Sequence, residues 1–564
     1  MRDQALRFDS LLSAASTGSL SRRELARRAA ALGLGAPMIA SLLHASSPVA
    51  AMAQQEMTLS FDAGATGGGG GKPNSAATAY CYIVNGGSQF EINRMVDACL
   101  ITLDASLQEF VGDVADSWEI EDTTVTFKLN PNAKWHDGTP LTSKDVAFTL
   151  NVLTDPATLS RWGGAFKSIE GYAEAQEAES PTSLSGIETP DDQTLVLHLT
   201  EADSGLLGGF MYVCILPEHI LGDADRATID QNPFWTENRI GAGPFKWVQL
   251  VEGERVELEA NEDYHLGAPQ IKKLNLLFFS SFETSLAAFQ QGSNAVAAMT
   301  SNDVELVEGI EGAEIITTPA GVGALFINVS QPDFADVRVR QALSYAIDRK
   351  TITETLFQGY ADPVSTEVPY LEWVQPDDAN PYDYDPDKAK SLLEEAGWDG
   401  SKTYELWYYY PDQVTASVME AMQQYLAAVG VNVDLRFDDG SGVRVKEFDE
   451  GTWYLTYGSF GVQPSPANLS VIWGPQGRRT YHYDSEAFDS AMDAALRTYE
   501  RDEQAEHYKE AIRILNEDCP WVWLFDRKNL IAFNTKTLST GDAPAWGPGN
   551  VLYHNNANEW VVTE

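Results

Sequence analysis

Apolar and polar residues alternate over 113–129 in a way that predicts two strands. Trp118 and Ile120 alternate with acidic residues, and apolar side chains recur at every second position of 125–129. This period of two is typical of strands with one buried face. The polar segment 121–124, Glu-Asp-Thr-Thr, predicts the turn that joins them.

The residues that follow predict a tight turn and then a helix. His-Asp-Gly-Thr-Pro at 136–140 has the composition of a turn. Thr142 and Asp145 have the three-residue spacing of a capping box, which predicts a helix start. The helix should bury one stripe, because apolar residues repeat at helical spacing at Val146, Leu150 and Leu153.

Periodicity further along the chain predicts an α/β unit. Residues 404–410 and 431–437 have strand patterns, and 419–429 between them has a helical one that ends at Gly430. The strand–helix–strand order is typical of an α/β lobe. Near the end, the apolar run 521–525 predicts a strand buried on both faces.

The charge of the chain excludes one class of partner. The 564 residues hold 38 basic and 82 acidic side chains, a net charge of −44. Residues 1–53 carry six arginines and three acids, a net +3, which leaves −47 for the remainder. Such a surface repels phosphate backbones, so we expect no nucleic-acid partner. About 510 residues after residue 53 are long for one core and predict more than one lobe.

The first 53 residues predict an export signal. Ser-Arg-Arg-Glu-Leu at 21–25 has the form of a twin-arginine motif, with Leu25 where the usual pattern has Phe. A modest apolar run over 29–43 leads to Ala-Met-Ala at 51–53, a cleavage-site pattern. We therefore expect export by the twin-arginine route to the periplasm or cell exterior, as a protein without a lipidated cysteine near the cleavage site.

The turn and helix start at 134–146 belong to a longer string that resembles one family. It reads Lys-Trp-His-Asp-Gly-Thr-Pro-Leu-Thr, then Asp-Val after two residues. Further similar segments are Ile-Leu-Pro-Glu-His-Ile at 215–220, Ile-Gly-Ala-Gly-Pro-Phe at 240–245, and 326–349. Together they resemble the extracellular solute-binding proteins of the dipeptide, oligopeptide and nickel class, which deliver ligands to ABC importers.

The resemblance implies an α/β fold of two lobes that close like a periplasmic-binding-protein clamp. The first lobe would be discontinuous, with residues 54–320 and 525–564 and an extra subdomain at about 95–237. The second lobe would be 321–524. As a family member the chain would bind a peptide or peptide-like solute as a monomer and present it to ABC permease subunits in the membrane.

The resemblance also implies where a ligand binds. A loop near Asn85, Gly86 and Ser88 lines the cleft in the family. In peptide-binding members, the segment that aligns with 451–466 carries a Trp, then an Asp that pairs with the peptide ammonium group. Here these positions are Phe460 and Gln463, and a nearby Arg position is Tyr457.

The missing carboxylate leaves the ligand class open. Trp453 and Trp473, with the aromatic run 407–410 upstream, add aromatic faces. Together with a neutral amide these suit an uncharged oligosaccharide as the alternative ligand. Acids at 438, 439 and 449 could instead replace the missing Asp.

An enzyme is the alternative from another class. The sequence holds no nucleophile elbow, no His-Glu-x-x-His and no Cys-x-x-Cys, so we expect no catalytic residues, metal or cofactor. His219 has no second ligand at metal spacing and is interpreted as structural. A sensor that reports a ligand to a membrane receptor is a third possibility that the residues do not separate from transport.

The four cysteines allow disulfides in an exported protein. They are Cys81, Cys99, Cys214 and Cys519. Each lies among apolar neighbours, which favours buried free thiols.

Overall fold

A computed structural model of the chain describes most residues from position 90 onwards. The described ranges are 57–61, 90–104, 109–160, 162–178, 180–211, 213–251, 254–279, 282–410, 412–440, 442–460, 465–474, 481–540 and 556–563. The predicted export signal at 1–53 lies outside them.

The strands of the described residues, in chain order, are numbered from β1. They are β1 Met57–Phe61, β2 Ile101–Leu103, β3 Phe110–Gly112, β4 Ala115–Glu121, β5 Thr124–Leu129, β6 Ile187–Asp191, β7 Thr194–His198, β8 Phe245–Val251, β9 Arg255–Ala260, β10 Lys273–Phe278, β11 Val296–Met299, β12 Ala313–Ile327, β13 Ala361–Pro363, β14 Thr403–Tyr408, β15 Asn432–Phe437, β16 Leu455–Phe460, β17 Trp521–Asn534, β18 Leu538–Ser539 and β19 Val561–Val562.

The helices are numbered in the same way. They are α1 Phe90–Val96, α2 Ser143–Thr154, α3 Tyr172–Glu177, α4 Leu206–Phe210, α5 Glu218–Leu221, α6 Phe282–Gln290, α7 Val304–Glu308, α8 Val337–Ala346, α9 Arg349–Thr355, α10 Pro386–Glu395, α11 Gln413–Ala428, α12 Val443–Glu450, α13 Leu469–Trp473, α14 Glu486–Leu496 and α15 Arg501–Asp518.

The motif-bearing segment 113–154 folds as its periodicity predicts. β4 and β5 pair antiparallel across the turn at 122–123, in a four-stranded sheet of order β4-β5-β7-β6. The capping box starts α2: the Thr142 backbone N–H donates to Asp145 Oδ2 at 2.8 Å. One hydrophobic core gathers this sheet, α2 and other residues between 98 and 242. The two strands, the turn and the helix start are therefore confirmed.

A second sheet joins distant parts of the chain. Its order is β1-β10-β9-β8, with β1 parallel to β10. The core beside it collects α1, strand residues of β8 to β11, and residues near the chain end such as Phe533 and Trp560. The N-terminal and C-terminal parts of the chain therefore share one core.

The third sheet holds the predicted strand–helix–strand unit. Its order is β11-β17-β12-β16-β14-β15, with β13 paired to β17. β14 lies parallel to both β15 and β16, and α11 connects β14 to β15. The helical region predicted near 488–515 is two helices, α14 and α15.

The two longest strands of the third sheet are β12 and β17. β12 and β17 pair antiparallel from Ala313 opposite Asn534 to Phe326 opposite Trp521. Their pairing shifts between Pro319 and Gly321, where Gly321 has φ +107°, a conformation that favours glycine. β11 pairs with the C-terminal part of β17, and β16 pairs with the C-terminal part of β12, so these two neighbours lie at opposite ends of the β12–β17 ladder. The α/β fold predicted from the sequence is confirmed.

Candidate functional site

The carboxyl ends of the parallel strands β14, β15 and β16 define the candidate site. β16 is antiparallel to β12 and ends at Phe460, opposite Val322, next to the irregular pairing at Gly321. The carboxyl ends of β14 and β15 therefore lie at the same edge, towards the β11 half of the sheet. In open α/β sheets, ligands bind outside the carboxyl ends of strands. We name this region the hinge-facing edge and define it by Tyr409, Tyr410, Arg444, Phe460 and Arg527.

A pair of tyrosines follows β14 at this edge. The rings of Tyr409 and Tyr410 lie 4.4 Å apart, and the Tyr410 hydroxyl donates to the Tyr409 oxygen at 3.3 Å. The Arg444 guanidinium covers the Tyr409 ring at 4.7 Å and forms an ion pair with Asp438 at 2.7 Å. Burial holds the pKa of Tyr409 well above its usual range, so this phenol is a neutral donor and acceptor.

Arg527 is the second cation of the edge and has a different environment. It lies on β17 opposite Gly321, and its guanidinium stands 5.4 Å from the centre of the Tyr410 ring. Its Nε is buried without a hydrogen-bond acceptor, and the carboxylate of its neighbour Asp526 pairs with Lys528 instead. Asp412, which caps α11, attracts the guanidinium electrostatically but does not form an ion pair with it among the described residues. A buried cation whose counter-charge is not in contact is costly unless a further anion pairs with it. It is therefore a candidate receptor for an anionic group of a ligand.

A group of aromatic rings packs around Phe460 of the hinge-facing edge. Trp521 lies at its centre, with the Phe326 ring stacked at 4.1 Å, the Phe460 ring at 5.1 Å and the Trp473 ring at 4.4 Å. Tyr481 closes the group at 4.8 Å from Trp521. Of these rings, only Phe460 and Tyr481 are partly exposed, and they form the accessible surface of this core.

A buried carboxyl group lies in the same core. Glu367 is 3 % exposed, and its Oε2 accepts a hydrogen bond from the Trp473 indole N–H. Its Oε1 has no partner, and burial raises the pKa of Glu367 to about 8. Glu367 is therefore a neutral acid at pH 7, which leaves this part of the site without a negative charge.

The structure places the predicted binding residues in three environments. Asn85, Gly86, Ser88 and Gln463 lie outside the described residues. Trp453 is fully buried and stacks on Phe448 with parallel rings 4.4 Å apart, so it presents no surface to a ligand.

The other predicted residues lie at or beneath the hinge-facing edge. Tyr457 is fully buried, with its hydroxyl 3.2 Å from the position that a side chain on Gly323 would occupy. Trp473 is 1 % exposed. Phe460 is half-buried and reaches the surface. Phe460 is thus the member of this group with a surface open to a ligand. Trp473 packs with it around Trp521, whereas Tyr457 packs in the other core, against Tyr410 and Phe525.

Sequence reasoning did not single out Arg444 and Arg527 as candidate site residues. The aromatic run 407–410, which holds Tyr409, was part of the predicted aromatic surroundings of the ligand, and its place at the carboxyl end of a parallel strand agrees with that. Arg527 follows an apolar run that predicts only a buried strand, and no motif marks it. Its position became visible only through the pairing of β17 with β12.

The core unit of residues 98–242 also contacts helices α14 and α15 and the segment between them. The Ser204 N–H donates to the Leu496 carbonyl at 2.8 Å, and Gln504 donates to the Ser204 hydroxyl. A side-chain carbon on Gly205 would lie 2.9 Å from Leu496 and 3.0 Å from Ala467, so glycine permits this approach. The two parts of the molecule are therefore in contact at a place other than strands β12 and β17.

Tyr499 and Arg497 extend this contact. The Tyr499 hydroxyl accepts from the Asp203 N–H and donates to the Asp122 carbonyl, both at 3.1 Å. Arg497 forms an ion pair with Glu201. We name these contacts, together with those of Ser204, the latch.

Metal and membrane candidates are absent from the described residues. No group of three or more His, Cys, Asp or Glu side chains is arranged to hold a metal ion in the described ranges. His219 instead contacts Asp137 Oδ2 at 3.0 Å. No helix in that part of the chain is long and apolar enough to cross a bilayer.

Comparison with known proteins identifies the family. Residues 109–479 match the family of bacterial extracellular solute-binding proteins, family 5, middle region. A Brucella ovis protein named as an ABC transporter peptide-binding protein is 31 % identical over 557 residues, which cover 95 % of this chain and 98 % of the relative. The chain belongs to this family of binding proteins.

Solved structures have the same fold. The oligopeptide-binding protein AppA of Bacillus subtilis, solved with a nonapeptide, has a TM-score of 0.73 at 22 % identity and covers 91 % of this chain and 100 % of its own. CtaP, an ABC transporter substrate-binding protein of Listeria monocytogenes, has a TM-score of 0.76 at 24 % identity, with 90 % of this chain and 99 % of its own covered. These likenesses show the fold.

Proposed function

We propose that the protein is the substrate-binding component of an ABC importer and captures a peptide or peptide-like solute by closure of its lobes. The observation that carries the proposal is the pair of strands β12 and β17, which run through both parts of the molecule and change register at Gly321. Two connecting strands with such an irregularity allow hinge closure around a ligand. Relatives named for peptide binding support the ligand class.

The hinge-facing edge supplies groups for both ends of such a ligand. Arg527 would pair with a carboxylate, because its Nε is buried without an acceptor and Asp412 attracts it without forming an ion pair. Tyr409 and Phe460 would contact the ligand backbone and apolar side chains. Asn85, Gly86, Ser88 and Gln463 complete the set by their sequence positions. The neutral side-chain amide of Gln463 would accept a hydrogen bond from the amino end of the ligand.

A thermodynamic cycle tests the role of Arg527. Calorimetry would compare the wild type and Arg527→Met with synthetic tetrapeptides that carry a free carboxylate or a C-terminal amide. Amidation should cost the wild type roughly 2–5 kcal/mol and the variant little, because the carboxylate contact is already gone. Arg338→Met is the matched control, since Arg338 forms a surface ion pair with Asp336. Equal amidation costs in wild type and Arg527→Met would refute the carboxylate contact.

The folded state of Arg527→Met separates this role from a structural one. If Arg527 pairs only with the ligand, its buried charge destabilises the ligand-free protein. The Met variant should then melt at the same temperature as the wild type or higher. If the guanidinium instead holds Tyr410 in place, the variant should melt lower and bind both peptides equally poorly.

An uncharged oligosaccharide is the second candidate ligand. It is favoured by the aromatic surface of Phe460 and Tyr481, which suits stacking on a sugar ring. The burial of Trp453 and Trp473 weakens this support, because neither offers a face to a ligand. A panel of oligosaccharides in the same calorimetric experiment distinguishes the two classes. Mass spectrometry of molecules that co-purify with the protein would identify the ligand directly.

Export by the twin-arginine route and a monomeric state complete the proposal. The family is extracellular by its description, and the arginine pair at 22–23 supports the route. A monomer suits a clamp that presents its closed form to membrane permease subunits. Light scattering of the purified protein tests the monomeric state.

A further inference from the structure

Two cysteines that are distant in sequence face each other within the 98–242 core unit. Cys99 and Cys214 form an isolated antiparallel β-bridge, and the Ile215 N–H donates to the Ala98 carbonyl at 2.9 Å. This hydrogen-bond pattern makes the cysteines a non-hydrogen-bonded pair, whose Cα atoms lie about 4.5 Å apart in antiparallel strands. That spacing falls within the range of roughly 4.4–6.8 Å that a disulfide spans.

The two side chains already point at each other. Their Sγ atoms are 3.3 Å apart, and both residues are buried, with exposures of 0 % and 4 %. A bond between them therefore needs a small rotation of the thiols and no movement of the strands. Cys519, the other described cysteine, lies elsewhere, with its sulfur 2.9 Å from the Ser344 hydroxyl.

A nearby cation distinguishes the two thiols chemically. Arg94 Nη1 donates to the Cys99 sulfur at 2.8 Å, while Nη2 of the same guanidinium donates to the Met211 carbonyl. The hydrogen bond with Cys99 and burial together raise the pKa of Cys214 well above its usual range. Because the pKa of Cys214 is raised and Arg94 contacts the Cys99 sulfur, we assign Cys99 as the sulfur that attacks first.

We propose that Cys99 and Cys214 form a disulfide in the exported protein. The family is extracellular, and exported compartments favour oxidation of paired thiols. The cysteines are 115 positions apart, and the bond would join the first segment of this core unit to one in its C-terminal third. The proposal rests on the geometry of the pair and does not depend on the identity of the ligand.

The reaction balances with a small-molecule disulfide as oxidant. The Cys99 thiolate attacks one sulfur of the oxidant and releases its other half as a thiolate. Cys214 then loses its proton and attacks the Cys99 sulfur, which releases the second half. The protein gives up two protons and two electrons, and the oxidant becomes two thiols. Because both sulfurs are buried, the exchange requires a local opening or takes place during folding.

Differential alkylation with peptide mapping tests the bond. The full chain would be incubated with glutathione disulfide, unfolded without reductant, alkylated, then reduced and labelled with a second reagent. The proposal expects the second label on Cys99 and Cys214 and the first label on Cys519. The incubation would be repeated while the chain is unfolded and refolded with glutathione disulfide present. If Cys99, Cys214 and Cys519 all carry the first label after that, the proposal is overturned.

A melting experiment checks the consequence of the bond. Closing so long a loop stabilises the core unit, so reduction should lower its melting temperature by about 5–10 °C. Cys519→Ser should retain this sensitivity to reductant, and Cys99→Ser should lose it. If Cys99→Ser fails to fold, the mapping of the wild type still decides the question. Equal melting temperatures of oxidised and reduced wild type would overturn the stabilising role.

Discussion

The buried carboxyl of Glu367 should make the protein less stable as pH rises. Glu367 is 3 % exposed, and the Trp473 indole N–H is its described hydrogen-bond partner. Burial raises its pKa from the ordinary value of 4.5 to about 8. In the unfolded chain the same group is solvated and loses its proton near its ordinary pKa.

The size of the effect follows from the difference in bound protons. Between pH 4.5 and about 8 the native protein holds one proton more than the unfolded chain at this site. Each pH unit in that window then removes about 1.4 kcal/mol from the free energy of unfolding. The stabilising contribution is complete below pH 4.5 and is lost as pH rises towards 8. From about pH 5 to about pH 8 the loss amounts to roughly 3–4 kcal/mol.

Glu367→Gln isolates this contribution. The amide has the same shape, can still accept from Trp473 and carries no charge at any of these pH values. Urea unfolding followed by tryptophan fluorescence would be measured at about pH 5 and about pH 8. The variant should gain about 3–4 kcal/mol relative to wild type between the two values. Glu372→Gln, at an exposed neighbouring position, should follow wild type.

Parallel pH dependence of the wild type and Glu367→Gln would refute the reasoning. It would mean that Glu367 is ionised in the native protein and has a partner that offsets its charge.

Three further predictions concern export, the latch and the ligand's amino end. Replacing Arg22 and Arg23 by Lys should leave precursor in the cytoplasm, because Lys lacks the planar guanidinium that a twin-arginine signal presents; normal export in cell fractionation would contradict this route. Tyr499→Phe removes the latch hydrogen bonds to Asp203 and Asp122. It should weaken ligand binding about five-fold in calorimetry, and an unchanged Kd would show that the latch does not contribute to closure. N-acetylation of a bound peptide should cost little, since Gln463 is neutral; a loss of roughly 2–5 kcal/mol would reveal a carboxylate in its place.

The sequence was most informative where local patterns decide local structure. Alternation predicted β4 and β5, and the spacing of Thr142 and Asp145 predicted the start of α2. These features depend on neighbours within a few residues, so no tertiary information was needed. The resemblance supplied the arrangement of the α/β units, which periodicity alone does not give.

The candidate site was less predictable because it depends on which way each side chain points. Trp453 and Trp473 are of a residue type that is common on ligand-binding surfaces, yet both are buried in the structure. An aromatic residue gains as much from a core as from a cleft, and its type does not distinguish them. Arg527 became a candidate only when the pairing of β17 with β12 placed it opposite Gly321. The domain boundaries near 320 and 525 remain predictions.

Small-angle scattering with and without a bound peptide tests the central claim, that two lobes close on a ligand about β12 and β17. The account predicts that the free protein has a larger radius of gyration, with the latch broken, and that a saturating peptide compacts it to the arrangement in which Tyr499 meets Asp203. A peptide that binds and raises the melting temperature while the radius of gyration stays constant would contradict closure.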